Sequence, residues 1–94
     1  MLVLITYDVS TVTKAGARRL RRIARACLDY GQRVRNSVFE CRVDQKNWAL
    51  LRDRLLSEID PKQDSLRFYF LEADTVIEHF GTKAITDLES PLII

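Results

Sequence analysis

Met1-Leu2-Val3-Leu4-Ile5-Thr6-Tyr7-Asp8 is a nearly unbroken apolar run that ends on a carboxylate. Its two alternating sets, Leu2/Leu4/Thr6 and Val3/Ile5/Tyr7, are both largely apolar. That pattern predicts a central strand over Leu2–Val9, buried on both faces. An acid closing such a run stands at the rim of a core, where an unpaired charge is costly.

The chain continues into a helix predicted over Lys14–Tyr30, with Ser10, Thr11 or Thr13 as N-cap and Gly31 as stop. Leu20, Ile23, Ala24, Cys27 and Leu28 form one apolar stripe at i, i+3, i+4, i+7 and i+8 spacing. At about 100° per residue, Arg18, Arg21, Arg22 and Arg25 gather on the opposite side, with Arg19 flanking them. Residues 33–43 are rich in Val and Phe but long for one strand. A bend near Asn36-Ser37 would split them in two. Asp44 caps a second amphipathic helix with Trp48, Leu51, Leu55 and Ile59 inward, ended by Asp60-Pro61. Ser65–Leu71 reads as a last strand, with Leu66, Phe68 and Phe70 alternating against Arg67 and Tyr69. The order is that of an α+β, ferredoxin-like βαββαβ domain, an antiparallel sheet with both helices on one face.

The 94 residues make one domain, 1–94, with an ordinary balance of 47% hydrophobic and 30% charged side chains. The leading run is too short to span a membrane and lacks the flanks of a signal peptide, so a cytoplasmic protein without membrane contact is expected. Cys27 and Cys41 form no CxxC pair and read as small core residues. His79 is the single histidine; it is expected at the surface, and no His-Cys metal set or Ser-His-Asp arrangement is available.

The net charge of +2 conceals a strong asymmetry. Residues 14–35 hold eight cationic side chains against Asp29 alone, whereas residues 72–94 are net acidic. This favours an anionic partner. The arginine face either meets phosphates or is a solvated helix face. No aromatics interleave with it, so contact should run through the nucleic-acid backbone and be nearly sequence-blind. Residues 85–94 end in Pro91-Leu92-Ile93-Ile94, an apolar tail without a place in the four-stranded plan. It is expected to pair as a strand on its own or a partner's sheet in a homodimer.

Several segments together resemble the CRISPR-associated protein 2 family of spacer acquisition. They are Tyr7-Asp8-Val9, the Arg-rich helix, Arg33, Ser37-Val38-Phe39-Glu40, Ile59-Asp60-Pro61 and Asp64-Ser65-Leu66-Arg67. The tail resembles that of the subtype I-C branch. Arg35, in place of an expected glutamine, and the acidic residues 74–78 depart from the pattern.

The resemblance implies a homodimer in which Asp8 of each chain faces its twin, catalytic and holding Mg2+ (or Mn2+). Activity as an endonuclease on RNA or double-stranded DNA is then expected. The alternative it implies is a non-catalytic bridge on DNA for the larger integrase of the adaptation complex. Arg18, Arg19, Arg22, Arg33 and Arg35 are the expected nucleic-acid contacts.

Mg2+ is commonly held by one or two carboxylates, waters and substrate phosphates. One chain offers Asp8 alone, and a two-fold axis would supply the second carboxylate. Plainer readings stand beside these: Asp8 caps the turn at Ser10 or Thr11, Tyr7 packs, Ser37 makes a turn bond, and Phe39 fills the core. Trp48 reads as core.

Overall fold

The computed structural model describes residues 1–82. Its elements are β1 (Leu2–Asp8), α1 (Lys14–Tyr30), β2 (Gln32–Arg35), β3 (Val38–Arg42), α2 (Gln45–Glu58) and β4 (Ser65–Leu71). They form one sheet in the order β2-β3-β1-β4, antiparallel at every pairing. This is the expected ferredoxin-like plan, with both helices on one face. The tail at 85–94 lies outside the described residues.

Local chemistry sets the element ends. Of the three candidate N-caps, Thr13 caps α1: its Oγ1 accepts the Gly16 N–H at 3.0 Å. Asp44 caps α2 by accepting the Asn47 N–H at 2.7 Å. Asn36 and Ser37 form the turn that divides the long strand, and the β2–β3 register shifts between Arg33 and Arg35.

Gly31 ends α1 in extended backbone, φ −161°. It is needed for closeness, not for left-handed geometry, since a Cβ there would land on the Glu40 carbonyl and the Cys41 sulfur.

The core lies between the sheet and the helices. Val3, Ile5, Tyr7, Phe39 and Cys41 from the sheet meet Ile23, Ala26, Cys27, Leu51 and Leu55 from the helices. Trp48 packs edge-on to Phe68 and Phe70, with centroids 4.8 and 5.5 Å away. Cys27 and Cys41 are free and buried.

The expectation that β1 is buried on both faces is only half met. Its helix side is closed; on the opposite side Leu2 is buried, but Leu4 and Thr6 are only half-buried. At the β4 edge, Phe70 is 60% exposed despite facing the helix side. Beyond it Val76, Ile77 and Phe80 are exposed as well.

Gly16 fixes the approach of α1 to the β1–α1 connection, since a Cβ there would land on the Ser10 carbonyl. Alanine would gain up to about 1 kcal/mol of helix propensity. Displacing backbone in a packed turn costs about 1–3 kcal/mol. Gly16→Ala is therefore expected to lower Tm by several degrees in a thermal melt.

Candidate functional site

Asp8 is the last residue of β1, opposite Ser65 of β4 in register. It is exposed and enters no ion pair among the described residues. It lines a cleft of about 360 Å³ between the end of the sheet and α1, together with Tyr7, Leu20, Arg21, Arg33 and Ser37.

The plainer reading of Asp8, as cap of the following turn, is replaced by another acid. The Ser10 N–H donates to Oδ1 of Asp64 at 3.0 Å. Asp8 is thus left free for other work.

Asp64 is the residue that sequence reasoning missed. Its carboxylate has no exposed area. It accepts the Ser10 N–H, the Asp60 N–H at 2.9 Å, Arg19 Nε at 2.8 Å and Arg19 Nη2 at 3.3 Å. One side chain thereby ties the β1–α1 connection, α1 and the α2–β4 turn together. The Arg19 guanidinium holds its carboxyl below the usual carboxylate value; burial opposes this, and the two backbone N–H groups add to it. The spacing Asp60-Pro61-Lys62-Gln63-Asp64 was a legible turn signal, but nothing local linked it to Arg19.

The arginine face divides by the company its members keep. Arg19 is committed to Asp64. Arg22 Nε meets Glu58 Oε2 at 2.6 Å. Asp29 takes Arg54 at 2.7 Å and Arg25 at 3.7 Å. Arg18 and Arg21 are exposed and form no ion pair among the described residues, and the same holds for Arg35 on β2. Exposed pairs such as Arg22–Glu58 are worth little and yield to a stronger anion. A pair that fully buries its carboxylate, as Arg19–Asp64 does, is a different case.

Arg33 stands apart from the others. It is 9% exposed, opposite Phe39 in register, with its guanidinium carbon 5.1 Å from the Phe39 ring centroid. Its Nε is buried without a hydrogen-bond acceptor among the described residues. Tyr7 also stacks with Phe39, with centroids 6.1 Å apart, and its hydroxyl reaches the Asn36 carbonyl at 3.4 Å. Burial, with Cys27 adding to it and Arg33 opposing, pushes the Tyr7 phenol up to about 12, so it stays protonated at neutral pH. Tyr7 and Phe39 are packing residues, and Ser37 uses its carbonyl to accept the Tyr7 N–H at 3.2 Å. The cleft thus joins Asp8 and Arg21, both exposed and without ion-pair partners among the described residues, with Tyr7 and the confined Arg33.

Among the described residues no three His, Cys, Asp or Glu side chains converge as a metal-ligand group. The donor that does stand free, one carboxylate oxygen pair at a solvent-facing rim, is of the hard type suited to Mg2+ or Mn2+. It is a partial set, of the kind that waters, substrate oxygens or a second carboxylate complete.

Residues 1–77 match the family described as CRISPR associated protein Cas2. The chain belongs to this family. It is 60% identical to the CRISPR-associated endoribonuclease Cas2 of Chlorobaculum tepidum, over 100% of both chains. It is 55% identical to the CRISPR-associated endonuclease Cas2 of Halalkalibacterium halodurans, over 99% of each. The crystal structure of Streptococcus pyogenes Cas2 at pH 6.5 superposes with a TM-score of 0.74 at 51% identity, covering 86% of this chain and 100% of that one.

On this Cas2-family fold, the residues expected as sites are thus distributed unevenly. Asp8 and Arg33 meet in one cleft, Arg18 lies on the open helix face, and Arg35 lies on edge strand β2. Arg19 and Arg22 are held by Asp64 and Glu58. No described helix is long and apolar enough to cross a membrane.

Proposed function

We propose that this Cas2-family chain works in CRISPR adaptation as a homodimer that binds nucleic acid through backbone phosphates and cleaves phosphodiester bonds at Asp8 with Mg2+. The observation that carries this reading is Asp8, exposed and without an ion-pair partner among the described residues, lining the same cleft as Arg21 and Arg33 beside an arginine-bearing helix face. The relatives named for endonuclease activity, on RNA in one case, agree with it.

In this reading Arg18, Arg21 and Arg35 hold phosphates, and the exposed Arg22 and Arg25 exchange their carboxylate partners for phosphates as the strand approaches. Asp8 presents hard oxygen to the metal. Mg2+, when bound there, supplies a water of lowered pKa and offsets charge on a phosphoryl oxygen. Core packing of Tyr7 against Phe39 fixes the end of β1, so Asp8 sits on a rigid element. Two observations support dimerisation. Among the described residues a single chain brings Asp8 without a companion acid, and Phe70, Val76, Ile77 and Phe80 leave apolar surface exposed.

The same exposed apolar segment supports a second reading, in which the dimer is an architectural bridge that docks the adaptation integrase on DNA. Cleavage of RNA and duplex DNA by the wild type and Asp8→Asn, set beside spacer integration by the same pair, separates the two.

Binding is tested on its own by salt titration. Arg18→Ala and Arg35→Ala are each expected to flatten the log K against log salt slope by about one. Arg19→Ala is expected to lower Tm while leaving the slope close to that of the wild type. Unchanged slopes in the first two variants would remove the phosphate assignment.

A further inference from the structure

Arg21 joins two features that the rest of the helix keeps apart. It lines the Asp8 cleft, and it also lines the trough between α1 and α2 with Arg22, Arg25, Arg54 and Glu58. Every other arginine in that trough has a carboxylate partner: Arg22 has Glu58, while Arg25 and Arg54 share Asp29. Arg21 has none among the described residues.

In the cleft, Asp8 would repel a phosphate drawn toward it. Arg21 on the helix side and Arg33 on the sheet side give two positive charges against that one negative charge. Arg33 cannot be the primary contact, because it is confined against Phe39 and only 9% exposed. It supplies positive field from the sheet side, beside the apolar side chains of Val9, Leu20 and Ala24 in the same lining. Arg21 is exposed and carries the planar donor fork that suits a phosphate.

We infer that Arg21 holds the phosphodiester group next to Asp8, so that the arginine face ends in a phosphate subsite at the mouth of the cleft. This rests on the phosphodiester-cleaving reading for its purpose, though not for its chemistry. Arg18, one turn earlier on α1, contributes binding without setting the position of the linkage beside Asp8. Loss of Arg21 therefore affects turnover as well as affinity, whereas loss of Arg18 affects affinity alone.

The test follows the side-chain Nε–H resonances of the arginines by NMR while thymidylyl-thymidine, a dinucleoside monophosphate, is added in EDTA at low salt. The Arg21 resonance is expected to shift with saturation, and Arg21→Ala to weaken binding about tenfold. Asp8→Asn, by removing the opposing charge, is expected to tighten binding about fivefold, and Arg21→Ala in that background to abolish the tightening.

Arg21→Ala should melt as the wild type does, since it removes no partnered group. A shift at Arg18 without one at Arg21, equal small shifts at every arginine, or an Asp8→Asn effect that survives Arg21→Ala would each overturn the inference. Absence of metal-dependent cleavage by the wild type with the Arg21 responses intact would instead remove the nuclease reading and leave the phosphate subsite standing.

Discussion

Asp8→Asn is expected to abolish metal-dependent cleavage of RNA and duplex DNA while leaving the fold in place and the affinity for nucleic acid undiminished. The substitution is nearly isosteric and falls on an exposed side chain with no ion-pair partner among the described residues. Such surface changes alter stability by about 0.5 kcal/mol or less. What is lost is the anionic oxygen that the metal needs.

Removing one preorganised electrostatic element of a transition state lowers kcat by about a hundredfold to a thousandfold. A first-sphere carboxylate belongs at the upper end of that range. Affinity measured in EDTA should not fall, because the asparagine removes a charge that repels phosphate. Denaturing gels of cleavage products, with filter binding on the same preparations, check both halves. If Asp8→Asn also supports spacer integration at the wild-type level, the integration step uses the dimer as a bridge and not as a nuclease.

Asp64→Ala is expected to have the largest effect on stability. The side chain is fully enclosed and its removal leaves the Ser10 and Asp60 N–H groups and the Arg19 guanidinium without their acceptor. Two backbone donors deprived of a partner alone correspond to about 2 kcal/mol or more. For a domain of this size that is a fall in Tm of about 8–16 °C.

The pH dependence has a definite sign. The folded carboxyl is held below its unfolded value, chiefly by Arg19. The stabilisation is therefore present above the unfolded value, near pH 4, and is lost as pH falls through the lower folded value. The wild type should lose stability over that acid range, and Asp64→Ala should lose correspondingly less. Parallel acid profiles for the two proteins would show that Asp64 does not carry this stability.

The order of elements was legible because each periodicity was local. The apolar stripe from Leu20 to Leu28, the caps at Thr13 and Asp44, and the excess length of residues 33–43 all depend on near neighbours in sequence. Asp8 was legible for the same reason, as an acid ending an apolar run.

The fates of the arginines were not. Arg19 and Asp64 are separated by 45 positions, and no local pattern reports a pairing at that range. On the helical wheel Arg19 therefore looked as free as Arg18. Arg33 carried a usable signal that charge counting hid. Across the hairpin it faces Phe39, an inward residue, so strand parity already placed it against the core. The half-buried second face of β1 was overread, because apolar side chains on both faces of a strand do not say whether the cover comes from the same chain.

The central claim, a metal site completed by Asp8 from two protomers, is tested most directly by the stoichiometry of Mn2+ binding, measured by electron paramagnetic resonance on the purified protein. The expected result is about one ion per two chains at saturation, lost in Asp8→Asn. One ion per chain, or binding that persists unchanged in Asp8→Asn, would contradict it.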